Sequence, residues 1–147
     1  MTLQLGAMNS KQLQYGNATE EGVGKLFQRN GYWCYITQHK LGGQPVDIIA
    51  LKENHNWLVD AKHLEKGIKS FPFSRIEPNQ ITTMDYATNF AHIKNVGFVI
   101  GSEDDLSRFY WFSYREYLEA LKNDLKSIKL ANLRDMQEVI TLEDNNR

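Results

Sequence analysis

Apolar positions in this 147-residue chain recur at two different spacings, and the switches between them divide it into elements. From Thr19, Val23, Leu26 and Phe27 fall at helical intervals; Thr19 can cap the segment and Asn30-Gly31 ends it. Residues 1 to 16 show no such period and read as a loose arm. Trp33 to Gln38 (WCYITQ) is aromatic and β-branched, the composition of a strand. After a loop through Gln44, Val46 to Lys52 and Trp57 to Lys62 read as two more strands, joined by Glu53-Asn54-His55-Asn56. Pro78 suits the first turn of a helix that opens at Glu77 and runs to about Ala91. Val96 to Ile100 is a continuous apolar run, hence a buried strand, and Phe109 to Phe112 is another. Ser113 and Glu116 fit a capping box opening a helix with Tyr117, Leu118, Leu121 and Leu125 inward. From Leu130 the pattern is weakly helical, and residues 141–147 form a polar, frayed tail.

The predicted order is helix, three strands, helix, strand, then an added strand and helix, all within one domain spanning 1–147. In the central hairpin one face carries Val46, Ile48, Ala50, Trp57, Val59 and Ala61, while the other holds Ile49, Leu51 and Leu58 beside charged groups. Two apolar faces call for cover on both sides, which predicts an α/β fold with a mixed central sheet flanked by helices. The helix between the third and fourth strands then makes a right-handed crossover.

Certain polar residues sit where the pattern expects apolar ones. With Asn54-His55 as the tight turn, Asp47 faces Lys62 and Ile49 faces Asp60, all on one sheet face. Asp60 and Lys62 are then about 6 to 7 Å apart along the strand, and the Asp47 to Asp60 diagonal is about 7 to 8 Å. A slip of one residue moves Asp47 to the far face. Glu20 shares a helix face with Val23 and Phe27, so it either points inward and needs a partner or is a first-turn acid favoured by the helix dipole. Gln80 lies in the first turn of its helix.

Composition sets the class. At 41% hydrophobic, 24% charged and 12% aromatic residues, the balance is that of a globular protein. No run approaches the roughly 20 apolar residues that span a bilayer, and the N-terminus lacks the order of a secretory signal, so the expected location is cytoplasmic, without membrane association. The lone Cys34 reads as core packing, and His39, His55, His63 and His92 lack the spacing of metal ligands. Trp33, Trp57 and Trp111 read as core side chains of strands. The net charge of -1 makes no global case for nucleic acid, but Lys62, Lys66, Lys69 and Arg75 cluster against Glu65 alone, either as a solvated loop or as a phosphate-binding one. Phe71 and Phe73 within that loop are placed to touch DNA.

Asp47 and Asp60, with the carbonyl of Ala61, offer the oxygen donors that Mg²⁺ prefers, Mn²⁺ substituting. Lys62 is placed to orient water or stabilise charge on a phosphoryl transition state, Glu20 to bind a second ion or polarise water, and Gln80 to position water or the scissile phosphate. The alternative for the pair is an ordinary Asp47–Lys62 salt bridge across a hairpin.

Pro45-Val46-Asp47 with Asp60-Ala61-Lys62 resembles the PD-(D/E)XK nuclease signature, and the element order is similar to that superfamily's restriction-endonuclease-like core. DAKH followed by KSFPFSRIEPNQ resembles the RecU-type Holliday junction resolvases, as does Gly16-Asn17-Ala18-Thr19-Glu20 in the first helix. The resemblance implies that Glu20, Asp47, Asp60 and Lys62 are catalytic with Gln80 in support, and it covers residues 16 to about 112. Only a strand and a short loop separate Asn30 from Asp47, so the stalk insertion of that family is absent. The expected activity is that of a Mg²⁺-dependent endonuclease on branched or structured DNA, bacterial or phage-encoded and working as a homodimer, with Lys66, Lys69, Ser70 and Arg75 contacting DNA. The alternatives are a restriction-like or repair nuclease on duplex or single-stranded DNA, or a non-catalytic nuclease-fold module that binds DNA or protein.

Overall fold

The computed structural model describes residues 10–37 and 46–145, with side chains described from residue 18 onward. In chain order the elements are α1 (Ser10–Arg29), β1 (Trp33–Ile36), β2 (Ile48–Lys52), β3 (His55–Leu64), β4 (Ser70–Pro72), α2 (Pro78–Asn89) and β5 (Asn95–Ser102). There follow β6 (Asp105–Ser113), α3 (Tyr114–Lys122), β7 (Ser127–Lys129), β8 (Arg134–Asp135) and α4 (Met136–Asn145). Six strands form one sheet in the order β1-β2-β3-β5-β6-β8. Only β3 and β5 run parallel, and α2 lies in the connection between them; the other neighbours are antiparallel. The mixed α/β architecture expected from the pattern is present.

Alternation along the strands sends side chains into two cores. On one face Val23, Leu26 and Phe27 of α1 and Met136, Val139 and Ile140 of α4 pack on Ile48, Ala50, Trp57, Val59, Val99 and Trp111. On the other, Met84 and Ala87 of α2 and Tyr114, Tyr117 and Ala120 of α3 cover Val96, Phe98, Ile100 and Phe112. β5 is buried along its whole length, as its apolar run requires. Val46 joins the second core instead of the Ile48 face, because regular pairing begins only at Ile48.

Several expectations are corrected. Helix α1 starts at Ser10, so residues 10–16 are helical rather than a loose arm; extending an already packed helix costs little once its nucleus exists. Residues 1–9 lie outside the described residues. α3 opens with the Ser113–Glu116 capping box, but it buries Tyr114, Tyr117 and Ala120, leaving Leu118, Leu121 and Leu125 substantially exposed. The segment from Leu130 is ordered: after a 3-10 turn at Leu130–Asn132, β8 joins the main sheet and α4 continues to Asn145. The supposed tail is pinned there by Glu143, which pairs with Lys94 at 3.2 Å and His55 at 3.4 Å, and by Asp144, which pairs with Lys52 at 3.1 Å. Strands β4 and β7 pair with each other in a small second sheet, too short at three residues each to leave a period in the sequence.

Candidate active site

The two acidic positions meet where β3 outruns its neighbour. Pairing with β2 runs from Lys52 opposite His55 to Ile48 opposite Val59, so the reversal falls at Glu53-Asn54, one position earlier than expected, with Glu53 at φ 50. The predicted Asp47–Lys62 register is therefore wrong by two positions. A two-position shift preserves which residues of the ladder share a face, so Ile49, Asp60 and Lys62 stay together; Asp47, before the ladder begins, is placed by its own hydrogen bonds. Beyond Val59, β3 has no β2 ladder partner, and Asp47 fills the gap: its N–H donates to Val59 O at 3.0 Å and its Oδ2 accepts from Ala61 N–H at 2.8 Å. Asp47 thus lies beside Asp60.

Thr37, at the end of β1, holds this junction. Its N–H donates to Asp47 O at 2.8 Å and its hydroxyl to Val46 O at 2.9 Å. Nothing in the sequence pattern marked Thr37, because its role arises only once β1 and β2 are in register. Pro45 and His39 lie outside the described residues.

Asp60 is 2% exposed, and its side chain shares a sheet face with Phe98 and Lys62. Gln80 reaches it from α2, donating from Nε2 to Asp60 Oδ1 at 3.1 Å. The Gln80 amide oxygen accepts from Lys62 Nζ at 3.2 Å and from Glu77 N–H at 3.0 Å, the latter closing a capping box at the start of α2. Helix capping and site assembly therefore use the same side chain. Lys62 Nζ also donates to Arg75 O at 3.1 Å and lies 3.0 Å from Asp60 Oδ2. That last approach is an ion pair without hydrogen-bond alignment, so Oδ2 is a buried acceptor with no hydrogen bond.

The electrostatics of this cluster are under tension. Burial pushes the Asp60 carboxyl well above the usual carboxylate range, the adjoining Asp47 charge pushes it further, and Lys62 opposes both. Two carboxyls next to one ammonium leave an excess negative charge, and among the described residues the buried Asp60 Oδ2 meets no positive group but that ammonium. A hard cation answers both conditions, since Mg²⁺ commonly uses one or two carboxylates and keeps several waters. Among the described residues no group of three His, Cys, Asp or Glu side chains stands close enough to hold a metal, so the protein's charged donors here are two.

The remaining predicted residues are placed less centrally. Glu20 is buried at 5% on α1, next to Thr19, whose hydroxyl lies 3.0 Å from His63 Nδ1. His63 faces away from Lys62, as alternation required, so that contact marks the α1 side of the sheet. Lys66 and Lys69 lie in the loop after β3, where Lys69 pairs with Asp104 at 2.9 Å, Gly67 N–H donates to the same carboxylate and Lys66 N–H donates to Glu103. Ser70 is half-buried in β4, and the exposed Arg75 donates to His63 O at 2.7 Å. Phe71 and Phe73, expected as DNA contacts, are core residues instead. Phe71 is fully buried beside Phe98, and Phe73 stacks on Phe112 at 5.8 Å. Trp57 and Trp111 are buried as expected, whereas Trp33 is 61% exposed. Cys34 is half-buried against the α1-side core, which pushes its thiol up to about 11. No described helix is long and apolar enough to cross a membrane.

No family model matches the chain, and no curated protein matches it in sequence. Among solved structures it is similar to Hjc of Archaeoglobus fulgidus, a Holliday junction resolvase from an archaeal hyperthermophile. The TM-score is 0.56 at 13% identity, over 86% of this chain and 95% of that one, a likeness of fold.

Proposed function

We propose that the protein is a metal-dependent DNA endonuclease of the PD-(D/E)XK type, acting on branched or otherwise structured DNA. The observation that carries this reading is the convergence of Asp47, Asp60, Lys62 and Gln80 at the end of β3 beyond its β2 pairing, with the buried Asp60 carboxyl held between the Asp47 charge and the Lys62 ammonium. The likeness to a junction resolvase's fold supports it without deciding the substrate.

Asp47, Asp60 and the Ala61 carbonyl would hold Mg²⁺ or Mn²⁺. Such an ion supplies positive charge for a phosphate oxygen and a water acidic enough to ionise near neutral pH. The chain's own residues then have separable tasks. Lys62, anchored by Gln80 and the Arg75 carbonyl, presents a fixed ammonium to the growing negative charge of phosphodiester hydrolysis. Gln80 fixes both Asp60 and Lys62, so neither group must reorganise during the reaction. Lys66, Lys69, Ser70 and Arg75 would meet the DNA backbone, and for Lys69 the phosphate must compete with Asp104. Paired cuts across a branch point favour a homodimer, and a DNA substrate places the protein in the cytoplasm.

The test is a substrate panel: four-way junction, duplex and single strand, each incubated with purified protein and Mg²⁺ or Mn²⁺. Cleavage of the junction, abolished by chelator and in Asp60→Asn, is the expected result. Absence of cleavage on every substrate with either metal would leave a binding module as the surviving account.

A further inference from the structure

Alternation along β1 sends Cys34 and Ile36 toward α1, where Cys34 Sγ lies 3.8 Å from Gly24 O and Ile36 packs against the same glycine. Trp33 and Tyr35 point the other way. They are 61% and 51% exposed, their rings near-parallel at 14° with centroids 6.5 Å apart. Leu51, opposite Trp33, is 41% exposed, and Ile49 lies opposite Tyr35. Large aromatics left side by side in water on an edge strand call for an occupant.

The ladder registers show where this surface leads. Tyr35 pairs with Ile49 and Ile49 with Leu58, so these residues share the sheet face of Asp60 and Lys62. Two strand spacings of about 4.8 Å and one two-residue step of about 6.6 Å put Tyr35 roughly 12 Å from Asp60, and Trp33 roughly 16 Å away. At about 3.4 Å per stacked base, that interval spans about four nucleotides.

We infer that Trp33 and Tyr35 form a base-stacking platform for unpaired nucleotides entering the Asp47–Asp60–Lys62 site. The inference rests on the nuclease reading and adds the substrate feature that site would select, a single-stranded segment a few nucleotides from the scissile phosphate. Stacking accepts any base, so the platform recognises strand separation rather than sequence. A second copy of the chain is the weaker occupant. Two partly exposed aromatics offer roughly 250 Å², well below the ~800 Å² per partner of a stable interface.

The chain has three tryptophans, and Trp57 and Trp111 are buried, so quenching by a stacked base reports on Trp33. Titrating a thymidine oligonucleotide into the protein in EDTA should quench tryptophan emission. Trp33→Phe should bind similarly with the quenching lost, and Trp33→Ala and Tyr35→Ala should each bind the single strand about 5- to 150-fold more weakly while binding duplex nearly as wild type. Wild-type single-strand affinity in both alanine variants would overturn the inference. So would a wild-type dimer that dissociates in Trp33→Ala on sedimentation, since a second copy would then cover the face. Because binding is read without metal, unchanged binding alongside Asp60-dependent cleavage removes the platform alone. Quenching by single strand in a protein that cuts nothing removes the nuclease reading alone.

Discussion

Replacing Gln80 by alanine removes one side chain that serves two functions. Its amide accepts from Glu77 N–H at the α2 N-terminus and from the Lys62 ammonium, and it donates to the buried Asp60 carboxyl. A neutral hydrogen bond contributes about 0.5 to 1.5 kcal/mol net and one to a charged group about 1.5 to 3 kcal/mol. The three together amount to about 3.5 to 7.5 kcal/mol, and water entering the space of a residue now 5% exposed recovers part of that. The expected loss is about 3 kcal/mol or more, which for a chain of this size lowers Tm by about 6 to 12 °C. Urea denaturation at neutral pH measures it, with the slope confirming that the unfolding unit is unchanged. Freed of one anchor, Lys62 should also fall out of position, and single-turnover cleavage should drop about 10- to 100-fold at saturating protein. A loss below about 1 kcal/mol would refute the account of Gln80 as the joint between helix cap and site.

Two further outcomes follow from the packing. Burial alone would raise the Glu143 carboxyl, but Asn95, Lys94 and His55 outweigh it and hold the group below its usual 4.5. The stability it contributes is therefore present above about pH 4.5 and lost as pH falls through the lower folded value. Glu143→Gln should cost about 1 to 2 kcal/mol at pH 7 and progressively less as pH falls below about 4.5, read as the difference in urea midpoints; a pH-independent cost would contradict this. A Cβ at Gly97 would stand 2.5 Å from Phe112 O and 2.7 Å from Ser113 Cα, both backbone atoms of the adjoining strand. Gly97→Ala should destabilise by about 2 kcal/mol or more, or abolish folding, and near-wild-type Tm would show that β5 and β6 can part.

The outline of the fold was legible because period and punctuation agreed: the buried run of β5, the Ser113–Glu116 cap of α3 and the Pro78 start of α2 are all local signals. What escaped was set by tertiary partners. Helix α4 buries only Met136, Val139 and Ile140, too sparse a stripe to announce itself, and its end is fixed by ion pairs with residues about 90 positions away. Trp33 looks like a core residue in composition, but β1 is an edge strand covered on one side. Phe71 and Phe73 sit in a basic stretch, yet the β4–β7 pair folds them inward. The site was legible for a different reason. Asp60 and Lys62, two apart on one strand, share a face in any register. Asp47 stayed beside them although the predicted pairing was wrong, because its hydrogen bonds with Val59 O and Ala61 N–H hold it past the end of the ladder. Thr37 carried no such signal.

The central claim is that the carboxylates bind metal while Lys62 acts on the reaction without binding it. Manganese binding measured by calorimetry, beside junction cleavage on the same preparations, separates these tasks. Asp60→Asn should lose both metal binding and cleavage, whereas Lys62→Ala should bind Mn²⁺ near wild-type affinity and cut at least about 100-fold more slowly. Wild-type cleavage by Lys62→Ala, or undiminished metal binding by Asp60→Asn, would contradict the account.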